Sequence, residues 1–131
     1  MEMSLGLLRA RMLHAVAELG VADQLRAGPL TAAALAQAVG ANEDGLYRLM
    51  RAMAAMGLFV EHDDRSFSLN ETSQLLRSDV PGSARNMVLY FAGDVHARTY
   101  FDLLHSVRTG EPAFDHLHGM SLFEYLEKDE Q

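Results

Sequence analysis

The sequence predicts a mainly α-helical fold in which a winged-helix-like domain with one small β-hairpin is accompanied by additional helices. Three observations support this fold class. Apolar residues recur at steps of three and four over most of the chain. Two short alternating runs, around Val60 and Phe67, flank the polar stretch "HDDR". The resulting order of helix, helix, turn, helix and hairpin is that of a winged helix.

The first helix is predicted from Leu5, Leu8, Met12, Ala15 and Leu19, which share one face. Gly20 is placed to end this helix, and "VADQL" continues it loosely. The stretch "AAALAQAV" follows as a second helix. Its predicted cap is Thr31, and its predicted end is a left-handed Gly40.

The third helix is predicted to begin at an Asn42 cap and to end at Gly57. Its apolar face carries Leu46, Leu49, Met50, Met53 and Met56, a stripe that we interpret as core. The predicted hairpin comes next, with alternating apolar positions at Leu58, Val60, Phe67 and Leu69.

The remaining residues are predicted to be helical with two interruptions. Thr72 is expected to cap a short turn, and Pro81-Gly82 breaks the chain before a helical stretch from Ser83 to about Arg108, interrupted at Gly93-Asp94. The segment "TGEPAFDHLHG" is predicted to be a loop, and "MSLFEYLEKDEQ" to begin a last helix.

Composition excludes several functional classes. Hydrophobic residues make up 49% and charged residues 22%, as in folded globular proteins. Without cysteine the chain has no disulfide, thiolate nucleophile or cysteine zinc site. It also lacks a signal-peptide pattern and a run of about 18 apolar residues, so we expect a cytoplasmic protein with no membrane partner.

DNA binding is the function that a winged helix first suggests, but the charges oppose it. Eighteen acidic residues against eleven Lys and Arg give a net charge of -7. The third helix begins with Glu43 and Asp44, which would face phosphate, and Arg65 is the single cation of the wing. We therefore expect a scaffold and no nucleic-acid partner. A winged-helix transcriptional regulator that binds a small aromatic effector remains the alternative.

The histidines near the carboxyl end raise the possibility of a metal site. His116 and His118, with Asp115 beside them and His105 one loop away, are residue types that zinc accepts. The spacing of His116 and His118 is i, i+2, and it lacks the helical H-x-x-x-H pattern that directs two imidazoles at one ion. We therefore expect no metal site.

No catalytic residues are predicted within the chain. The sequence contains no recognisable arrangement of serine, histidine and acid, and no glycine-rich loop after a strand that would cradle a nucleotide. Among the remaining histidines, His96 lies between the aromatic pairs Tyr90-Phe91 and Tyr100-Phe101. A neutral histidine in such a pocket can donate a hydrogen bond to a phenolic or carbonyl ligand.

The segment "RTGEPAFDHLHGMSLFEYL" resembles the linker-helix region of dimeric S-adenosylmethionine-dependent small-molecule O-methyltransferases, the group of plant phenylpropanoid and bacterial antibiotic-tailoring enzymes. The matching residues are Gly110, Phe114, Gly119, Met120 and Phe123-Glu124-Tyr125. The stretches "LGVADQL", "LAQAVGANEDGLYRLMRAMAAMGLF" and "FSLNETSQLL" are similar to the winged-helix-like dimerisation domain of that family, so the resemblance covers nearly the whole chain.

The resemblance implies that residues 1–80 form a winged-helix-like dimerisation domain. Residues 81–131 would then contain an aromatic helix, a loop and a truncated linker helix that leads to a methyltransferase domain expected after Gln131. Because that Rossmann-like domain would carry the S-adenosylmethionine loop and the catalytic base, we expect this chain to be inactive alone and to hold no cofactor, while the parent enzyme uses S-adenosylmethionine.

The resemblance also implies a homodimer and an acceptor that is a small aromatic or polyketide-like molecule. Carried over by position, the acceptor-binding residues would be Tyr90, Phe91 and His96 after the wing, and Leu122 and Leu126 on the last helix. His96 replaces a residue that is usually apolar in plant relatives, and Leu126 replaces a polar one, so the identity of the acceptor does not transfer.

Overall fold

The computed structural model describes residues 2–129. These residues form two compact units, one that ends at residue 92 and another that begins at residue 93. In the first unit a 3-10 turn, Glu2–Leu5, precedes six helices: α1 Gly6–Leu19, α2 Val21–Gln24, α3 Ala32–Val39, α4 Glu43–Ala55, α5 Glu71–Gln74 and α6 Arg85–Phe91. The second unit contains α7 Asp94–Phe101, α8 Leu103–Thr109, α9 Ala113–His118 and α10 Leu122–Asp129. A mainly α fold is thus confirmed.

A three-stranded antiparallel sheet completes the first unit, with the order β1-β3-β2. Strands β2, Val60–Glu61, and β3, Ser66–Ser68, form the predicted hairpin. The third strand was not predicted: β1, Leu30–Thr31, pairs Leu30 with Phe67 across the sheet. Two residues are too short a run to give an alternating pattern, so only pairing with the hairpin defines this strand.

Local capping explains where the first helices begin and end, as the sequence predicted. Gly20 and Gly40 both end helices in the left-handed conformation, with φ of 69°. The Thr31 side chain accepts a hydrogen bond from the amide of Ala34, and the Asn42 side chain accepts one from Gly45. Each cap satisfies an amide at a helix start that has no partner within the helix.

Three local predictions were wrong. Asn70, and not Thr72, caps α5, because its side chain accepts from the amide of Ser73 while the Ser73 hydroxyl accepts from the amide of Asn70. The helical stretch after Ser83 breaks at Asp102 as well as at the predicted Gly93. The supposed loop contains α9, which starts after Pro112 and ends at a left-handed Gly119. Proline and glycine therefore bound a short helix here.

The core of the first unit lies between its helices and the sheet. The methionine stripe of α4 faces inward, since Met50 and Met53 are almost fully buried. Around them pack buried side chains from every layer of the unit, among them Val16, Val21, Leu25, Leu35, Leu46, Phe59, Phe67 and Leu76. The interpretation of the stripe as core is confirmed.

Helix α6 lies in the first compact unit, which ends at residue 92. Val88 of α6 packs against the core cluster, and the Arg85 guanidinium donates to the carbonyl of Ala17 in α1. Among residues 2–129, no helix combines the length and apolarity needed to cross a membrane.

Candidate functional site

Helix α6 is held on α1 by two arginines. Arg85 Nε lies 2.9 Å from the Ala17 carbonyl oxygen, and Arg11 Nη1 lies 2.7 Å from the Ala92 carbonyl oxygen at the carboxyl end of α6. Arginine donors to a backbone carbonyl make charge-assisted hydrogen bonds, which are stronger than neutral ones. The two bonds, one at each end of α6, fix which of its faces is turned away from the core.

That outward face of α6 carries the first two predicted acceptor contacts. Tyr90 is 39% exposed and Phe91 54% exposed. Their rings meet edge to face, with centroids 5.0 Å apart and planes at 84°, a favourable aromatic geometry. Met87, one turn earlier, is exposed as well. Three apolar side chains of this anchored helix are therefore exposed.

Further apolar surface lies at the amino-terminal end of the first unit. Leu5, Leu7 and Leu8 are all exposed at the start of α1. The inner residues of the same helix, Val16 and Ala17, are 1% exposed. Helix α1 thus changes along its length from a solvent-facing apolar end to a core-facing end.

The second unit exposes an even larger share of its apolar side chains. Helices α7 and α8 present an apolar surface that consists of Tyr100, Phe101, Leu103, Leu104 and Val107, with Phe101 and Val107 each 73% exposed. Few of its side chains are buried, and these include Ala97, Ala113 and Phe114. Exposed apolar patches of this kind mark interaction surfaces in soluble proteins.

The other three predicted acceptor contacts belong to the second unit and are half-buried. His96 lies on α7, with its ring centroid 6.4 Å from that of Tyr100. Leu122 and Leu126 lie one turn apart on α10. The structure therefore places Tyr90 and Phe91 in one unit and the remaining three residues in the other.

Helix α10 has a well-defined start. The Glu124 carboxylate accepts hydrogen bonds from the amide and hydroxyl of Ser121, and the Ser121 hydroxyl accepts one from the Glu124 amide. The backbone and hydroxyl bonds from Ser121 hold the pKa of the Glu124 carboxyl below its usual value. This reciprocal cap fixes the register from which Leu122 and Leu126 project.

An aromatic cluster packs α9 against α10. The Phe114 ring lies 4.2 Å from the His118 ring and 5.5 Å from the Tyr125 ring, centroid to centroid. His118 Nε2 is buried and finds no hydrogen-bond partner among the described residues. Of the residues that carry the family resemblance, Phe114 and Tyr125 meet in this cluster, and Gly119 ends α9 between them.

Two histidines that sequence spacing did not pair lie together in the same unit. The rings of His105 and His116 stack with centroids 3.7 Å apart and planes at 10°. His116 Nδ1 lies 2.7 Å from a carboxylate oxygen of Asp102. The predicted loop is in fact helix α9, which brings His116, rather than His118, to His105. No sequence-local signal could have shown this pairing.

Two cations of the winged-helix surface that would face DNA, Arg51 and Arg65, contact neighbouring side chains of the same surface. The Arg65 guanidinium lies 3.9 Å from the centroid of the Tyr47 ring, and the Tyr47 hydroxyl donates to Glu61 at 3.0 Å. Arg51 pairs with the same glutamate at 3.7 Å. Glu43 and Asp44 remain exposed at the start of α4. This charge arrangement is typical of a folded scaffold surface.

The fold and these surfaces define a class of protein: a winged-helix domain with exposed apolar helices, suited to association with other protein surfaces. Residues 1–79 match the family described as the O-methyltransferase dimerisation domain. The chain belongs to this family, as the sequence resemblance indicated.

Known proteins agree with this assignment. The chain is 40% identical over 126 residues to the mitomycin biosynthesis 6-O-methyltransferase of Streptomyces lavendulae. The match covers 95% of this chain and 36% of that protein. The crystal structure of LaPhzM superimposes with a TM-score of 0.91 at 35% identity, over 97% of this chain and 38% of that one.

A second similar structure contains ligands. It is an O-methyltransferase from neocarzinostatin biosynthesis in complex with S-adenosylmethionine and 2-hydroxy-5-methyl naphthoic acid, with a TM-score of 0.75 and 35% identity over 92% of this chain and 38% of that one. The chain spans little more than a third of the length of each of these relatives. It corresponds to their amino-terminal part.

Proposed function

We propose that this chain mediates homodimer formation in an S-adenosylmethionine-dependent O-methyltransferase and contributes acceptor contacts to it. The observation that carries the proposal is the exposed apolar surface on α1, α6, α7 and α8 in a chain whose family is a dimerisation domain. Side chains such as Phe101 and Val107 lose unfavourable hydration only when another protein surface covers them.

The energetics favour association. An obligate interface of about 2,000 Å², about 60% of it apolar, contributes a gross term of about 30 kcal/mol at about 25 cal/mol per Å². This exceeds the estimated cost of about 4–15 kcal/mol for lost translational and rotational freedom. The surplus supports a dimer at micromolar concentration.

Sedimentation equilibrium of the chain tests this part of the proposal. We expect twice the chain mass of 14.5 kDa at micromolar concentration. A monomer across that range would overturn the dimerisation function.

For the acceptor, we propose a small aromatic or polyketide-like phenol, with Tyr90, Phe91, His96, Leu122 and Leu126 as the contact residues implied by the family resemblance. The exposed aromatic edges of α6 and the half-buried imidazole of His96 support this choice. Aromatic faces bind a planar ring, and an imidazole can donate to a phenolate or carbonyl oxygen. The naphthoic acid bound to the neocarzinostatin relative is of the same chemical class.

Amide and side-chain NMR titration with 2-hydroxynaphthoate tests the acceptor contacts. Saturable shifts confined to these five residues and their neighbours are expected, with Leu75 of the winged helix as an unaffected reference. Uniform shifts, or none, would contradict the assignment. His96→Leu should weaken binding while leaving the sedimentation behaviour unchanged.

We propose that residues 1–131 do not hold the methyl donor by themselves. The proposal is supported by the sequence, which has no glycine-rich loop after a strand that could hold a nucleotide-like donor. Calorimetry with S-adenosylmethionine should therefore give no saturable heat, and the chain should methylate no acceptor, because methyl transfer requires donor and acceptor to be positioned together. Tight binding would contradict this proposal.

The regulator alternative makes an opposite prediction. Glu43 and Asp44 are exposed and would repel phosphate. The Arg65 guanidinium already stacks on the Tyr47 ring, which also argues against phosphate contacts. A gel-shift assay at physiological salt should detect no specific complex. Nanomolar binding to a particular duplex, weakening steeply with salt, would favour the regulator.

A further inference from the structure

The second unit contains a cluster of metal-ligating side chains that lies outside the proposed acceptor contacts. Asp102, His105 and His116 each offer one donor atom, and these atoms all lie within 4.8 Å of one another. Asp102 stands between α7 and α8, His105 on α8 and His116 on α9. Asp102 and His105 lie three positions apart at the start of α8, so the cluster joins α8 to α9.

A fourth donor stands beside the cluster. Glu111, in the turn between α8 and α9, has a carboxylate oxygen 3.7 Å from His105 Nε2. That distance is too long for a hydrogen bond. His105 Nε2 is itself buried, and it has no hydrogen-bond partner among residues 2–129. A buried imidazole nitrogen without a partner is unfavourable, and a cation between it and the Glu111 carboxylate would supply one.

We propose that Asp102, His105, His116 and Glu111 bind one divalent transition-metal ion of the zinc class. With neutral imidazoles the two carboxylates carry a charge of about -2, which a divalent ion neutralises. Two imidazoles with two carboxylates form a mixed nitrogen and oxygen donor set that suits Zn²⁺, Ni²⁺ or Cu²⁺, whereas Mg²⁺ and Ca²⁺ prefer oxygen alone. The expected role is structural, fastening α8 to α9 across the turn that contains Glu111.

Binding requires the cluster to contract and the two rings to tilt. Donors held tetrahedrally at about 2.0–2.1 Å from zinc lie about 3.3 Å from one another. Stacked rings direct their in-plane lone pairs along nearly parallel lines, so one imidazole must rotate to meet the ion. His116 can do this, because its side chain is 52% exposed, whereas the His105 side chain is 21% exposed.

The proposal does not depend on the proposed methyltransferase role, and its test measures metal binding directly. Titration of the chain with ZnCl₂ in a non-coordinating buffer, followed by calorimetry, should give saturable binding of one ion per chain. MgCl₂ should give none. Bound Zn²⁺ should also raise the melting temperature by about 4 °C or more at saturation, because it binds the folded state selectively.

Four variants locate the site. His116→Ala and Asp102→Asn should each weaken Zn²⁺ binding by about tenfold or more. His62→Ala and Asp115→Asn, which remove an imidazole and a carboxylate outside the cluster, should bind as the unmodified chain does. His116 is exposed, so His116→Ala should fold, and circular dichroism checks this.

Three results would overturn the proposal. These are the absence of saturable Zn²⁺ binding below millimolar concentration, unchanged binding by His116→Ala, or equal loss of binding in His62→Ala. NMR provides an independent readout, since coordination must shift the imidazole signals of His105 and His116 together and leave that of His62 in place.

Discussion

Arg11 and Ala92 lie 81 positions apart in sequence, yet Arg11 Nη1 donates to the carbonyl oxygen of Ala92 at 2.7 Å. The bond attaches the carboxyl end of α6 to the middle of α1. Together with the bond from Arg85 to Ala17, it determines that α6 belongs to the winged-helix unit. It also determines that Tyr90 and Phe91 are carried on an anchored helix.

Replacing Arg11 by methionine should weaken this attachment while keeping most of the apolar stem. The loss of a charge-assisted hydrogen bond predicts a decrease in the free energy of unfolding of about 1.5 kcal/mol. Urea denaturation at fixed protein concentration measures it, and hydrogen exchange should accelerate at the amides of α6. Arg9→Met is the matched control, because Arg9 is exposed and pairs with Glu2 only at 3.9 Å. Equal effects of the two substitutions would contradict the prediction.

Phe101→Asp should convert the proposed dimer to monomer. Phe101 is 73% exposed within its unit, so the substitution leaves the monomer fold nearly unchanged but places a carboxylate in the interface. An unpaired charge there costs several kcal/mol, about a hundredfold or more in the dimer dissociation constant. Analytical ultracentrifugation provides the measurement. Leu75→Asp, at an exposed site after α5, is the control that should remain dimeric. Persistence of the Phe101→Asp dimer would remove α7 from the interface.

Asn70→Ala should destabilise the first unit more than Asn42→Ala. Both asparagines cap helices, and loss of a cap costs about 1 kcal/mol. The cap at Asn70 accepts a hydrogen bond from the amide of Ser73, a fully buried residue. The Asn70 side chain also donates a hydrogen bond to the Gly57 carbonyl at 2.8 Å. We expect about 2 kcal/mol for Asn70→Ala and about 1 kcal/mol for Asn42→Ala in chemical denaturation. The reverse order would show that the link between α5 and the end of α4 contributes nothing.

Acid should destabilise the chain through carboxylates that are hydrogen-bonded in the folded state. The side-chain hydrogen bonds from Arg77 hold the pKa of Asp79 below its usual value, and those from Ser66 do the same for Asp64. A carboxyl whose folded pKa is lowered stabilises the fold above its unfolded pKa of about 4, and this contribution is lost as the pH falls through the folded pKa.

The melting temperature should therefore fall as the pH is lowered from about 5 to about 3. Asp79→Asn should make that fall shallower. Asp63→Asn, which removes an exposed carboxyl from the hairpin turn, corrects for the general effect of charge. A slope that Asp79→Asn leaves unchanged would show that the pairing with Arg77 is too well solvated to matter.

The sequence by itself determined the fold class, the family and the boundaries of the early helices. Thr31, Gly40 and Asn42 were predicted correctly because a cap joins residues only three or four positions apart. The methionine stripe of α4 was recognised for a similar reason, since helical periodicity places its members on one face. The five acceptor contacts were carried over from the family, and they stay a prediction.

Tertiary structure alone decided the features that depend on distant residues. Strand β1 exists because Leu30 pairs with Phe67, and α6 joins the first unit through Arg11 and Arg85. The sequence predicts a loop where α9 lies, because Pro112 and Gly119 are residues typical of turns, although here they start and end one short helix. The pairing of His105 with His116 follows from that helix. Periodicity and capping report interactions within about one helical turn, whereas these features arise from packing between elements.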